Sequence, residues 1–196
     1  DSLALRVPPP ADRPPPREAL AVGSRYGSPP DSALAARLAD EARRALAVAR
    51  RAHDTPRLWT APWLAPRAAR VTSPFGAGRV FNGQLRGRHT GVDYAGAVGA
   101  PVRAANRGVV ALVDTFHLAG RAVYVDHGAG VVTGYFHLSR ARVQPGDTVA
   151  RGQRLGDVGA TGRVTGPHLH WMARYGAITV DPRGLLALPA RGDGAP

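Results

Sequence analysis

Seven histidines and no cysteine set the terms for metal chemistry in this chain of 196 residues. Thiolate ligands are excluded, so a transition metal must sit on His, Asp or Glu. In His89-Thr90-Gly91-Val92-Asp93 an imidazole and a carboxylate stand four residues apart. That spacing brings both to one face in a helix and in a strand alike. The β-branched Thr90 and Val92 favour the strand, with Gly91 leaving room between the two side chains. In His168-Leu169-His170 the two imidazoles share one face of a strand, about 6.6 Å apart. Leu169 and Trp171 then face the opposite side, into a core. His89, Asp93 and one of His168 or His170 form a three-ligand set with a position open for water, the pattern of catalytic rather than structural zinc. His137 lies in a third strand-like stretch, Gly134-Tyr135-Phe136-His137-Leu138-Ser139.

The elements that must position these groups are short. From about Val71, apolar runs alternate with Gly, Pro and Asp turns: Gly99–Val102, Gly108–Val113, Ala122–Val125, Gly130–Tyr135 and Leu155–Val158. Strands of this length and punctuation predict an all-β domain over 71–188. Residues 1–30 hold two Pro-Pro-Pro runs and read as an extended leader, tether or strap. Asp31 and Ser32 are N-cap candidates for an amphipathic helix carrying Leu34, Leu38, Ala42, Ala45, Leu46 and Ala49 at helical spacing. The rest of 31–70 is a linker with Trp59 and Trp63 as anchors, and 189–196 reads as a flexible C-terminal end.

Composition narrows the classes further. Hydrophobic residues make up 44% of the chain, which excludes wholesale disorder. No run reaches about 18 consecutive apolar residues, so no transmembrane segment is expected in this chain. The N-terminus lacks a basic-then-apolar pattern, so the sequence reads as a mature fragment without a signal peptide, or as a cytosolic protein. Every residue of the 26 Lys+Arg is arginine, and the formal net charge is +12. That set reads either as GC-rich coding bias or as attraction to a polyanion. Aromatic residues are only 6% and the arginines are scattered, so nucleic acid is not expected as a partner.

The motifs fall in a recognisable order. Ser73-Pro-Phe-Gly76 precedes His89–Asp93. Gly99-Ala-Pro-Val102, Gly108-Val-Val110, Val123-Tyr-Val-Asp-His-Gly128 and Tyr135-Phe-His-Leu-Ser139 follow, and a Gly- and Thr-rich run from Val149 ends in Gly166-Pro-His-Leu-His170. Over roughly residues 73–182 the chain resembles the lysostaphin/LytM-type zinc metalloendopeptidases, which act on peptidoglycan peptides. The resemblance implies an antiparallel β-sheet with a groove, and one Zn²⁺ on His89, Asp93 and His170. It implies that His137 and His168 are the two non-ligand active-site histidines. It further implies a peptidoglycan peptide substrate, hydrolysis of cross-links through a zinc-activated water, and a place in the periplasm or cell wall. A monomer is expected, with anionic envelope polymers as secondary partners. One departure is visible: many relatives place Glu shortly after the His-x-His, where this chain has Trp171-Met172-Ala173.

Other histidines read as structural. His53 suits a helix C-terminus, His127 a hydrogen bond at a strand end, and His117 a loop before Ala119-Gly120. Core or turn roles are expected for Tyr135 and Asn82. A rival reading is a non-catalytic LytM-like regulator of another wall hydrolase. Such proteins lack ligands or catalytic histidines, whereas all five positions are filled here. The stretch before residue 70 reads either as an inhibitory pro-region or as a spacer.

Overall fold

A computed structural model describes residues 16–21, 26, 29–81 and 84–190; Asn82 and most of the Pro-rich stretch lie outside them. Among the described residues, thirteen strands and two helices follow one another: β1 (Arg17–Ala19), α1 (Ser32–Arg51), β2 (Val71–Ser73), β3 (Gly78–Phe81), β4 (Gln84–Arg88), β5 (Val92–Ala95), β6 (Pro101–Arg103), β7 (Gly108–Phe116), β8 (Gly120–Asp126), β9 (Val131–Ala141), β10 (Thr148–Val149), β11 (Arg154–Val158), β12 (His168–Tyr175), β13 (Ile178–Val180) and α2 (Arg183–Leu186). The all-β expectation holds. The apolar runs seen in the sequence overlap β6, β7, β8, β9 and β11.

The main sheet runs β10-β7-β8-β9-β12-β5-β2 with antiparallel pairing, and β6-β11 attaches to β9. A smaller sheet, β1-β3-β4, stands beside it. Its β1–β3 pairing is parallel and departs from the otherwise antiparallel plan. The short α2, with Leu185 buried beneath it, is the one helix that the sequence periodicity does not announce.

The two faces of the main sheet bury different residues. On one face Val92, Tyr94, Tyr135, Leu169 and Trp171 pack with Trp59 and Trp63, so the segment between helix and sheet belongs to the same core. On the other face Met172, Phe136, Tyr124 and Phe116 pack under Ala45 and Val48 of α1 and its C-cap residue Ala52. Asp31 caps that helix, accepting a hydrogen bond from the Leu34 amide at 2.8 Å. Buried Glu41 of α1 accepts from the His117 amide with both carboxylate oxygens, at 2.9 Å each. The helix therefore clamps the β7–β8 turn as well as covering the sheet. It covers only part of this face; the uncovered part carries the histidines.

Candidate metal centre

Register places the groups. In the central strand β12, His170 lies opposite Asp93 of β5 on one side and Phe136 of β9 on the other. Directly opposed residues point to the same face, so Asp93, His170 and Phe136 form one lateral row. His168 is two residues earlier on that face, while Leu169 and Trp171 are fully buried on the other. Phe136 stacks on the His170 ring, centroids 5.3 Å apart and planes 7° from parallel.

His89 arrives differently from the expectation. It is not in a strand: β4 ends at Arg88 and β5 begins at Val92, so His89–Gly91 is a connection. A hydrogen bond from the His89 amide to Ala77 O, at 2.8 Å, anchors that connection. The β-branched Thr90 suits a strand, but the chain must leave the β3–β4 hairpin for the main sheet at this point. Gly91 is where it passes over β12. A Cβ there would stand 2.4 Å from Trp171 O and 2.5 Å from His170 Nε2. The room that Gly91 leaves is room for His170.

The three donor atoms converge. His89 Nε2 is 3.0 Å from Asp93 Oδ1 and 2.9 Å from His170 Nδ1, and His170 Nδ1 is 2.9 Å from Asp93 Oδ1. His89 Nδ1 lies 2.8 Å from Pro74 O and 3.0 Å from Ser73 Oγ. A ring nitrogen that close to a carbonyl oxygen carries the proton, so the neutral His89 ring aims a bare lone pair at the other two donors. Burial pushes the pKa of His170 down, against the opposing pull of Asp93. Burial also works to raise the Asp93 carboxyl, but its contacts with His170 and His89 outweigh it and hold it well below the usual carboxylate range. Lone pairs converging in a buried site call for a cation between them. Two imidazoles and one carboxylate, with the site open on one side, fit a single zinc ion.

His137 and His168 flank this group, their ring centroids 4.8 Å apart, and all five residues line one cavity. His137 has a backbone φ of +62°, a left-handed conformation that costs a non-glycine residue of order 1 kcal/mol. The register explains why it is there. Between Val123↔Tyr135 and Arg121↔Leu138, β9 contributes one residue more than β8. This β-bulge lets Phe136 and His137, adjacent in sequence, both reach the cavity. His137 Nδ1 donates to Thr161 O at 2.8 Å, and His168 Nδ1 to Gly166 O at 2.8 Å. Burial first, then the like charges of His170 and His168, push His137 down to about 3. It is therefore neutral near pH 7, with Nε2 free of a proton.

The chain matches the family model described as Peptidase family M23 over residues 87–182. It is 34% identical to the catalytic domain of EnpA, a prophage-encoded M23 protein from Enterococcus faecalis. The TM-score is 0.54, with 63% of this chain and 95% of that domain covered. The chain belongs to peptidase family M23. Among solved M23-like structures, a zinc-containing peptidase from Vibrio cholerae is 32% identical with a TM-score of 0.57, covering 68% of this chain and 40% of that one. A curated relative, the peptidoglycan DD-endopeptidase ShyC of Vibrio cholerae, is 41% identical over 116 residues, 58% of this chain and 27% of the relative. The chain thus spans about a quarter of the length of the curated M23 relatives it matches first.

Several groups at this M23 site escape sequence reasoning. Arg79 Nη2 donates to the outer oxygen of Asp93 at 3.1 Å, and Arg79 Nη1 to Glu18 Oε2 at 2.6 Å. Ser73 Oγ donates to the same Glu18 oxygen at 2.8 Å. Ser73 and Pro74 were visible as part of a motif, but nothing in that motif signals a bond to His89. The histidines expected to be structural are found outside the cavity. His127 bonds Arg107 O and Thr133 Oγ1, His117 sits in the β7–β8 turn, and His53 packs edge-on against Tyr175. Tyr135 is a core residue.

Proposed function

We propose that this chain is a zinc-dependent endopeptidase that hydrolyses peptide bonds in peptidoglycan cross-links, working in the periplasm or cell wall. The observation that carries the reading is the convergence of His89 Nε2, Asp93 Oδ1 and His170 Nδ1, with two further imidazoles on the same cavity wall. Curated relatives named as peptidoglycan DD-endopeptidases supply the substrate class. In this reading His89, Asp93 and His170 hold the metal, and His137 and His168 act on substrate.

When bound, zinc supplies a water of lowered pKa and a Lewis acid for the attacked carbonyl. The chain's own residues do the rest. Pro74 O fixes the His89 tautomer, and Arg79 holds the outer oxygen of Asp93, so that both ligands point inward. His137 and His168 are oriented by Thr161 O and Gly166 O, each through Nδ1. Each therefore presents Nε2 to the cavity as a proton acceptor in its neutral form. They orient the attacking water, take its proton and return it to the leaving amine. All five residues share one cavity, which supports an enzyme over a non-catalytic regulator.

The test is zinc content together with turnover of purified peptidoglycan, for wild type and His170→Ala. Wild type is expected to carry one zinc per chain and release muropeptides, and His170→Ala to lose both. A variant with unaltered zinc and unaltered turnover overturns the site.

A further inference from the structure

Three arginines, Arg79, Arg88 and Arg163, line the same cavity as the five site residues, Arg88 also donating to Gly76 O at 3.3 Å. Asp93 is the single acid lining that wall among the described residues. Asp93 is already committed to His89 and His170 through one oxygen and to Arg79 through the other. Burial lowers the pKa of Arg163 and the like charge of nearby Arg79 lowers it further. Arginines on a cavity wall favour an anionic guest.

The structure shows what kind of anion fits. Glu18, on β1, places a carboxylate oxygen 2.6 Å from Arg79 Nη1. β1 is only three residues long. It lies alongside β3 as an added parallel strand, tied by Gly78 N to Pro16 O at 2.8 Å and Leu20 N to Val80 O at 3.0 Å. Peptide ligands add to sheets in this way. The Leu20 side chain then reaches the cavity itself. An extended segment of this chain therefore delivers a carboxylate to the arginine that touches a metal-holding residue. The planar fork of arginine suits a carboxylate, and such charge-assisted bonds are among the stronger ones.

We propose that Arg79, Arg88 and Arg163 form a carboxylate-binding subsite beside the His89–Asp93–His170 centre. Glu18 occupies its Arg79 end in this structure, and the preferred substrate is a cross-linked peptide with a free carboxylate close to the bond that is cut. This inference rests on the endopeptidase reading above. Two sources share the chemistry: a carboxylate carried by the bridging residue of the cross-link, and the C-terminal carboxylate of a stem peptide.

The test uses the zinc-loaded full chain and a cross-linked peptide dimer in three forms: unmodified, amidated at the bridging residue, and amidated at its C-termini. Binding is read by calorimetry and cleavage separately by chromatography. One amidated form is expected to bind about tenfold or more weakly than the unmodified dimer, the size of a lost charge-assisted hydrogen bond. Which form loses affinity identifies the source. Arg88→Gln combined with Arg163→Gln is expected to shrink that discrimination to about threefold or less. Glu18→Gln is expected to tighten the unmodified dimer severalfold and leave the weakly bound amide unchanged. Equal binding of all three forms by wild type overturns the subsite, whether or not the dimer is cleaved. Discrimination that survives undiminished in the double arginine variant overturns it as well. Discriminating binding without cleavage keeps the subsite and sinks the endopeptidase reading instead.

Discussion

His127, just past the end of β8, and His170 of β12 are both buried histidines, at 0% and 8% exposure, yet their surroundings do opposite things. His127 closes a circuit. Its Nδ1 is 2.7 Å from Arg107 O and its Nε2 2.8 Å from Thr133 Oγ1. Thr133 shares a hydrogen bond with the Tyr135 hydroxyl, which in turn accepts from the Ala105 amide. Every polar atom in that chain has a partner within the protein. Burial pushes His127 down to about 4, against the hydrogen bond to Arg107 O, so the ring is neutral and finished. His170 Nδ1 instead faces two other acceptors, His89 Nε2 and Asp93 Oδ1, at 2.9 Å each. Burial of a histidine is therefore no mark of function. The mark is a buried lone pair whose nearest polar neighbours are lone pairs too.

That contrast can be broken or sharpened by experiment. Removing the imidazoles that stand beside the donors, in His137→Ala and His168→Ala, should leave zinc stoichiometry unchanged and lower kcat by about 10²- to 10⁴-fold each. Metal analysis alongside steady-state kinetics checks both halves. His127→Ala should do the reverse. It opens a cavity and strands the Thr133 hydroxyl, costing about 2–4 kcal/mol of stability by denaturant unfolding, with zinc content intact. Gly91→Ala presses a methyl group onto His170 Nε2 and Trp171 O. Zinc affinity in a competition titration should fall by about 10- to 100-fold, the usual effect of disturbing a ligand's support.

The gentlest probe is pH. His127 has a folded value of about 4 against an ordinary 6.5. The unfolded chain therefore binds the proton first, and stability is fully present above about pH 6.5 and lost as pH falls toward 4. The linkage amounts to about 2 kcal/mol between pH 7 and pH 5. Thermal unfolding of wild type and His127→Gln at the two pH values should show a shallower loss in the variant.

Spacing brought Asp93 and the His168/His170 pair into view for a physical reason, and only the resemblance chose between the two histidines. His168, His170 and Asp93 sit on strands, where side chains alternate with period two and spacing translates directly into facing. Asp31 was legible as a cap because capping is local chemistry. His89 was misplaced onto a strand because β-branched neighbours describe preference, whereas the path from one sheet to the other is a tertiary requirement. The bulge at His137 left no trace in Phe136-His137-Leu138, since an extra residue is defined only against the partner strand. Arg79 and Glu18 were illegible for the same reason. They lie 61 residues apart, and their meeting depends on a strand pairing that no short window contains.

One consequence of β12 remains. Its odd positions, Leu169 and Trp171, fill the core, while its even positions, His168 and His170, face the cavity. A slip of one residue against β5 or β9 would drive two imidazoles into the apolar interior and put leucine and tryptophan where the metal donors belong. The same error thus destroys the fold and disarms the site together. The alternation that builds the core also aims the imidazoles, and neither can go wrong without the other.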